Sequence, residues 1–343
     1  MKKFLAGCLF MATVLTSLNA EEPNSPKFSG VVFGDYYNMA VHHDSSLSGS
    51  NGFWFRRIHF TYDHDINDDF SVRLRFEVAS PGDFSKKSTT MNAFIKDAYL
   101  KYKISAFHEA YLGISASPTF GIIDKTQGYR FLEKSPLDLQ RWASSRDCGL
   151  AFMGKLNQTG TLKYHFFFGN GEGEKTEIDE GKKVSLAVSA FPTECLILEA
   201  YVDWYDKTNV SDWYTYHAFA AWKTKTTTIS LLGATQIRKN DGGGEYRMDL
   251  GSLFFSHFFS QNWGAVVRVD RMFDPNPDAQ KIAYLSLDPI QKSTLVIAGI
   301  DYLPAKGIHF TPNVEMVFYD EKSPGNKDDK DIVPRFTFSY SFK

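Results

Sequence analysis

The chain has 343 residues, of which 43% are hydrophobic and 23% charged, and its formal net charge is −2. This charge includes Lys2 and Lys3, which belong to a predicted leader. Without them, the side chains of the predicted mature chain sum to −4. This acidic balance argues against a nucleic-acid-binding protein, which would present a basic face. Beyond the leader no apolar run approaches the roughly 18 residues that a membrane-spanning helix needs.

Residues 1–20 are predicted to be a signal peptide. Lys2 and Lys3 form a charged start, residues 4–18 carry no charge, and Ala20 precedes a plausible cleavage site at Glu21. Residues 21–343 are therefore predicted to be one exported domain. Thirty Phe and seventeen Tyr favour strands over helices, because aromatic side chains suit a half-buried pleated surface.

From Lys27 onward the sequence alternates apolar and polar residues, which is typical of strands with one apolar face. In residues 70–79, for example, Phe, Val and Leu alternate with Ser, Arg and Glu. Strands are predicted at 27–37, 52–64, 69–79, 92–103, 108–117, 145–155, 160–169, 182–191, 195–206, 213–223, 226–238, 245–258, 262–272, 292–302, 306–319 and 332–342.

The connections between these strands alternate between short and long. Tight turns are predicted at 65–68, 157–159, 192–194, 224–225, near 260 and at 303–305. The long connections are 38–51, 80–91, 118–144, 170–181, 207–212, 239–244, 273–291 and 320–331. Short periplasmic turns and long outer loops are typical of outer-membrane barrels. The fold class predicted is all-β, a 16-stranded antiparallel transmembrane β-barrel. Because such barrels have an even number of strands, Ile282–Leu287 is assigned to a loop.

The final strand carries alternating aromatic residues, Phe336, Phe338, Tyr340 and Phe342, followed by Lys343. This pattern resembles the C-terminal signature of outer-membrane proteins. The resemblance implies recognition by the barrel-assembly machinery and a place in the outer membrane of a Gram-negative bacterium.

A sheet can span a bilayer only if it closes, and barrels of 16–18 strands keep an aqueous channel. The predicted lumen face is the polar side of each strand, because so many charges in a dry core would be costly. The predicted pore-lining residues are Arg57, Arg73, Arg75, Glu77, Asp97, Lys101, Lys163, Glu199, Asp203, Arg247, Asp249, Arg268, Asp270, Glu315 and Arg335.

The longest connection, 118–144, follows the fifth strand. In general porins the corresponding loop folds inward and narrows the channel. The residues that would then border the constriction are Arg130, Glu133, Lys134, Asp138 and Arg141. The alternative is an ordinary outer loop.

No catalytic set of nucleophile, base and orienting residue is recognisable, and no catalytic, cofactor-binding or metal-binding residue is predicted. His42-His43-Asp44 is interpreted as a solvated loop and not as a metal site. Cys148 should lie near the outer end of its strand and Cys195 near the periplasmic end of another strand. An apolar band of roughly 25 Å separates these two levels. They are predicted to be free thiols.

Several short motifs resemble the phosphate-selective porin family over nearly the whole mature chain. They are residues 54–60 (Trp-Phe-Arg-Arg-Ile-His-Phe), 96–100 (Lys-Asp-Ala-Tyr-Leu), Leu112-Gly113, 118–121 (Pro-Thr-Phe-Gly), 298–302 (Ala-Gly-Ile-Asp-Tyr) and Pro312-Asn313. The resemblance implies a sixteen-stranded homotrimeric channel. Arg57, Arg73 and Arg75 match the basic wall of that family, whereas Glu77, Asp97, Asp203 and Asp270 depart from it.

The predicted function is a porin for ion transport and passive diffusion of small hydrophilic solutes, with a hypothesised preference for phosphate-like anions that rests on Arg57, Arg73 and Arg75. The competing hypothesis, which is slightly preferred, is a weakly selective pore whose salt bridges only organise the lumen. Its partners would be outer-membrane lipid, these solutes and two further copies of the chain. The alternatives are a barrel that displays adhesion loops, an outer-membrane enzyme and a soluble exported β-protein.

Overall fold

The computed structural model describes residues 25–84, 90–177, 180–207, 211–240 and 242–343. The predicted signal peptide, residues 1–20, lies outside the described residues and stays a prediction. Within the described ranges, no helix is long and apolar enough to cross a bilayer.

Sixteen strands in the described residues form one closed antiparallel barrel. They are β1 Lys27–Asn38, β2 Asn51–Asp65, β3 Phe70–Ala79, β4 Asn92–Lys103, β5 His108–Ala116, β6 Arg146–Lys155, β7 Leu162–Gly169, β8 Lys183–Ala190, β9 Leu196–Lys207, β10 Ser211–Lys223, β11 Thr227–Asn240, β12 Glu245–Phe258, β13 Trp263–Met272, β14 Ser293–Ala305, β15 Ile308–Tyr319 and β16 Lys330–Phe342. β1 pairs with β16, from Gly30 opposite Phe342 to Tyr37 opposite Arg335, and this pairing removes the free sheet edges. The predicted fold class is confirmed.

The turns at one end of the barrel are closed by short polar side chains. In the β2–β3 turn, Asn67 Oδ1 accepts hydrogen bonds from the N–H groups of Asp69 (3.0 Å) and Phe70 (2.8 Å). Four further turns use the same contact, made by Ser105, Thr193, Thr224 and Ser260. Side chains of these types replace a backbone acceptor and so stabilise a tight reversal. The first residue of β1 and the last residue of β16 also lie at this end of the barrel. The end with the short turns is therefore the periplasmic end.

The long connections lie at the opposite, outer end. Between β13 and β14 the chain forms only a 3-10 turn, Ala279–Lys281, and Ile282–Leu287 is not a strand. The assignment of this segment to a loop by strand parity is confirmed.

The outside of the barrel is apolar. Large outward side chains at mid-strand are strongly exposed; examples are Phe60, Phe76, Leu112, Leu231 and Val267. Outward rings also lie near the strand ends, among them Tyr102, Trp222 and Trp263. A closed barrel with this exterior is the architecture of a bacterial outer-membrane protein. Closure gives the backbone N–H and C=O groups of every strand a hydrogen-bond partner, which lipid cannot supply.

Two of the long connections fold into the barrel. The first inner loop, residues 118–144, contains α1 (Gly121–Gln127) and α2 (Pro136–Leu139). The second inner loop is residues 273–292. Their apolar side chains form three buried clusters with the inside of the strands.

Candidate functional site

The inward faces of β2–β5 carry a wall of opposite charges. Their side chains pair across neighbouring strands, so most of the charge is neutralised locally. The pairs and their N···O distances are Arg57–Glu77 (3.3 Å), Arg75–Asp97 (2.9 Å), Arg73–Asp63 (2.7 Å) and Lys101–Glu109 (3.4 Å).

Most of the remaining predicted lumen residues also point inward and are paired. The pairs are Glu199–His217 (3.3 Å), Lys183–Asp203 (2.6 Å), Arg268–Asp270 (2.7 Å) and Arg335–Glu315 (2.7 Å). Lys163 differs from these. Its ammonium lies 4.8 Å from the centre of the Phe191 ring, and no carboxylate in the described residues lies within 4 Å of it.

The prediction that Arg247 and Asp249 point into the lumen is wrong. On β12 the inward residues are the buried Met248, Leu250 and Phe254, whereas Arg247 and Asp249 share the outward face of the exposed Leu253 and Phe255. Arg247 Nε donates to Asp249 Oδ2 at 3.0 Å near the outer rim. The alternation on this strand is inverted because its inner face packs against the first inner loop and not against water.

Among the inward cations that the sequence analysis missed, Arg56 and Lys96 share one cause. Each is the extra residue of a β-bulge, since Phe33 pairs with Arg57 but Gly34 with Phe55, and Arg75 pairs with Asp97 but Phe76 with Ile95. A bulge places two consecutive side chains on one face. The signal was present in the adjacent charges at 56–57 and 96–97. Strict alternation would turn one of each pair toward lipid, which costs about 2–4 kcal/mol for Arg or Lys at mid-bilayer.

The first inner loop is held against β10–β13 by a buried apolar cluster. Its side chains are Phe120, Ile123, Leu137 and Trp142, and they pack on Phe219, Leu232, Met248, Leu250 and Met272. Burying such side chains stabilises the docked loop by about 1.5–3 kcal/mol each.

α1 carries the loop deep into the barrel. Lys223, the last residue of β10 at the periplasmic end, donates from Nζ to the carbonyl oxygens of Lys125 (3.3 Å) and Thr126 (2.6 Å). Gln127 Nε2 donates to Ser230 Oγ at 3.2 Å on β11. The loop therefore spans most of the barrel height along one wall.

Glu133 is the polar anchor of this loop. Its carboxylate lies 3.2 Å from Arg56 Nη1 and 3.1 Å from Arg335 Nη1, and all three side chains are almost completely buried. Arg56 also donates to the carbonyl oxygen of Phe131 and lies 2.6 Å from Asp35 Oδ2. Burial alone would raise the pKa of Glu133, but the two guanidinium groups outweigh it and hold the pKa well below its usual range.

The other four predicted constriction residues lie in different surroundings. Arg130 Nη2 donates to Asp138 Oδ2 at 2.8 Å, within the loop. The Lys134 ammonium has no carboxylate within 4 Å among the described residues, although burial lowers the pKa of this lysine. Arg141 is exposed and donates to the carbonyl oxygen of Lys281 at 3.1 Å, so it joins the two inner loops.

Tyr284 fixes the second inner loop opposite the first one. Its backbone has φ +70°, which is costly for a bulky residue. Three hydrogen bonds hold Tyr284 in this conformation. Its hydroxyl donates to the carbonyl oxygen of Ser80, and its N–H donates to the carbonyl oxygen of Gly82 (3.0 Å). Its own carbonyl oxygen accepts a hydrogen bond from Arg335 Nη2 (2.8 Å). Arg335 thus links both inner loops.

The loop between β1 and β2 is docked, and the expectation of solvated histidines there is wrong, because His42 and His43 are buried. His43 Nδ1 lies 2.9 Å from Asp331 Oδ1, and Tyr319 donates from its hydroxyl to Asp331 Oδ2 at 2.6 Å. The imidazole rings of His42 and His43 stack at 4.3 Å with an interplanar angle of 28°.

The donor atoms of His42, His43 and Asp331 lie within 4.8 Å of one another. Two imidazoles that share an ion must direct a lone pair to one point, each within its own ring plane. Rings stacked at 28° do not converge in this way, and the Nδ1 atom of His42 already accepts a hydrogen bond from the Asp44 N–H (3.1 Å). The geometry favours a hydrogen-bonded latch that joins residues 41–43 to β16.

This latch should weaken in acid. Burial is the main cause that lowers the pKa of His42, and the neighbouring His43 lowers it further. The carboxylates of Asp331 and Asp44 act in the opposite direction but do not outweigh burial. A histidine with a lowered pKa binds fewer protons in the docked state, so stability falls as pH drops below the unperturbed value of about 6.5. We expect hydrogen exchange of residues 39–50, corrected for intrinsic rates, to be faster at pH 5 than at pH 7.5. A His42→Gln variant should lose this pH dependence, and equal corrected rates in the wild type would contradict the assignment.

The two cysteines in the described residues, Cys148 and Cys195, lie far apart. Cys148 is in the outer half of β6, and Cys195 is in the periplasmic turn before β9. Both are unpaired in the structure. A disulfide needs Cα atoms within about 7 Å, which strands of this length do not allow between their two ends.

Comparisons with solved structures place the fold among outer-membrane channels. An anion-selective porin from Comamonas acidovorans is 13% identical, with a TM-score of 0.67, covering 93% of this chain and 100% of that one. The outer membrane channel DcaP of Acinetobacter baumannii is 13% identical, with a TM-score of 0.65, covering 96% of this chain and 100% of that one. A trimer form of the outer membrane protein OmpT of Vibrio cholerae is 11% identical, with a TM-score of 0.61, covering 93% and 99%. No family model and no curated protein matches the sequence.

Proposed function

We propose that the protein is a porin, a non-enzymatic channel through which small hydrophilic solutes diffuse across the outer membrane. The observation that carries the proposal is the inward-facing charge on a closed sixteen-stranded barrel, because water inside the barrel removes the cost of burying so many ionised groups. The fold shared with outer-membrane channels supports it.

We propose further that the first inner loop is the constriction. It runs along the inside of β10–β13 and leaves the open passage beside β2–β8. Arg130 and Lys134 then face this passage across from Arg57 and the other paired residues of the opposite wall, while Glu133 stays buried against Arg56 and Arg335. A barrel that only displays adhesion loops would not need a loop docked this deeply inside it. The position of the first inner loop therefore favours the channel over the adhesion protein.

Anion preference follows from which lumen charges lack a partner. Almost every inward carboxylate named above is paired with Arg, Lys or His. Among the described cations that line the lumen cavities, those without a carboxylate within 4 Å are Lys134 beside the constriction, Arg141 between the two inner loops, and Lys103, Lys125, Lys155 and Lys163 around the periplasmic opening. Selectivity follows the rings of charge that line a pore, so the excess of free ammonium groups favours anions.

Phosphate specificity gains less support. Arg57, Arg73 and Arg75, which match the basic wall of phosphate-selective porins, each have a carboxylate within 3.3 Å. Paired guanidinium groups offer an entering phosphate little free charge. We therefore propose a weak general anion preference. A homotrimer remains part of the proposal, supported by the trimer form of a protein with the same fold, and gel migration before and after heating would measure it.

The deciding experiment is single-channel recording of the protein in planar bilayers under a KCl gradient. We expect clear conductance and a reversal potential on the anion-selective side. Lys134→Gln should move that potential toward zero by several millivolts, whereas Lys239→Gln, which removes an exposed lysine on the outward face of β11, should not. Cation selectivity of the wild type would refute the anion preference, and absence of conductance would refute the channel.

A further inference from the structure

A pocket of about 360 Å³ opens beside the constriction. Its walls come from β1–β4 and from both inner loops. Its volume falls in the range of roughly 300–1,000 Å³ that is usual for small-molecule sites. The lining combines an exposed aromatic ring with more basic than acidic side chains.

The aromatic ring is that of Phe94. It lies opposite Glu77 in the β3–β4 ladder and therefore faces the lumen, and 39% of its surface is exposed. The bulge at Lys96 causes this orientation. Without the extra residue, the alternation from the inward Asp97 would place Phe94 toward lipid and Ile95 toward the lumen.

The ring stands beside positive charge. Lys96 Nζ lies 5.6 Å from the centre of the Phe94 ring, although this ammonium is itself paired with Glu174. Four basic residues and only two acidic ones line the pocket, and both carboxylates are committed to ion pairs, Glu77 with Arg57 and Glu133 with Arg56. Lys134 has no such partner among the described residues, so its ammonium is available to a solute.

We propose that this pocket binds small carboxylates that carry an aromatic ring. The carboxylate would meet the Lys134 ammonium while the ring packs on Phe94, which removes apolar surface of both rings from water. The inference deepens the proposed channel function and rests on it: the pocket would retain such a solute at the constriction before it passes on.

The test uses sodium benzoate and sodium acetate as probes on the protein in planar bilayers, with KCl on both sides. Both anions carry one carboxylate, so only the ring differs. We expect benzoate at millimolar concentration to reduce the KCl current, and acetate at the same concentration to have little effect. Phe94→Ala should weaken the benzoate block, measured as a fraction of the variant's own KCl current, about 3- to 10-fold.

The matched control is Phe76→Ala. Phe76 lies on the neighbouring strand with a similar exposure, 40%, but faces lipid, so its removal should leave the benzoate block unchanged. Phe94→Leu, with heat-modifiable gel migration as the check of folding, covers the case in which alanine disturbs the barrel; it should retain part of the block. Equal effects of benzoate and acetate, or a benzoate block of wild-type strength in both Phe94 variants, would overturn the proposal while KCl conductance still supported the channel. A protein without KCl conductance would overturn the channel itself.

Discussion

Glu133→Gln is expected to release the first inner loop from the wall of β1, β2 and β16 and to raise both the mean conductance and the current noise. The substitution removes the anion shared by Arg56 and Arg335 in a buried position. Breaking a buried ion pair from one side costs about 3–5 kcal/mol. Asp35 and Glu315 still contact the two arginines, so the lower end of that range is expected.

Single-channel recording at constant voltage measures this effect. The control is Glu109→Gln, which removes a lumen carboxylate that is partly exposed and contacts Lys101 at 3.4 Å. It should leave the noise unchanged, because exposed pairs contribute about 0–1 kcal/mol. A Glu133→Gln channel as quiet as the wild type would show that the apolar contacts of the loop suffice.

Acid should reproduce this release in the wild type. The pKa of Glu133 is lowered in the docked loop, so its contribution is fully present above the usual carboxylate value of about 4.3. It is lost as the pH falls from there through the lower pKa of the docked state. An acid-induced rise in noise that is absent from Glu133→Gln would identify this carboxylate as its source.

Trp142→Ala is expected to have the second large effect. The Trp142 side chain is 1% exposed at the centre of the cluster that docks the first inner loop on β10–β13. Truncating a buried tryptophan costs about 3–5 kcal/mol. The backbone of Trp142 also accepts a hydrogen bond from Gln236 Nε2 (2.9 Å), which would shift with it. We expect proteolysis within residues 118–144 to become much faster than in the wild type.

The control for this substitution is Trp222→Ala. Trp222 is 47% exposed on the outside of β10, near the periplasmic end. Its truncation should leave the proteolysis of the inner loop unchanged, because it does not contact the cluster. Equal protection of residues 118–144 in Trp142→Ala and the wild type would contradict an apolar docking of the loop.

Strict alternation predicted the faces of most strands, but it failed at three places for physical reasons. On β12 the inner face is apolar because a loop covers it, so the rule that polar residues face the lumen placed Arg247 and Asp249 on the wrong side. At Arg56 and Lys96 a bulge turns the extra residue inward. An adjacent pair of charges within a strand is a signal for such a bulge that alternation alone ignores.

The sequence by itself determined the barrel: its strand count, the parity of its loops, the loop assignment of Ile282–Leu287 and most of the inward charges. These are local properties, because the period of a strand and the residues of a turn are set by near neighbours and by the lipid outside. Only the tertiary structure decided which charges remain free, where the two inner loops dock and that Phe94 faces the passage. These depend on contacts between residues far apart in the chain, such as Glu133 with Arg335, and no local pattern encodes them.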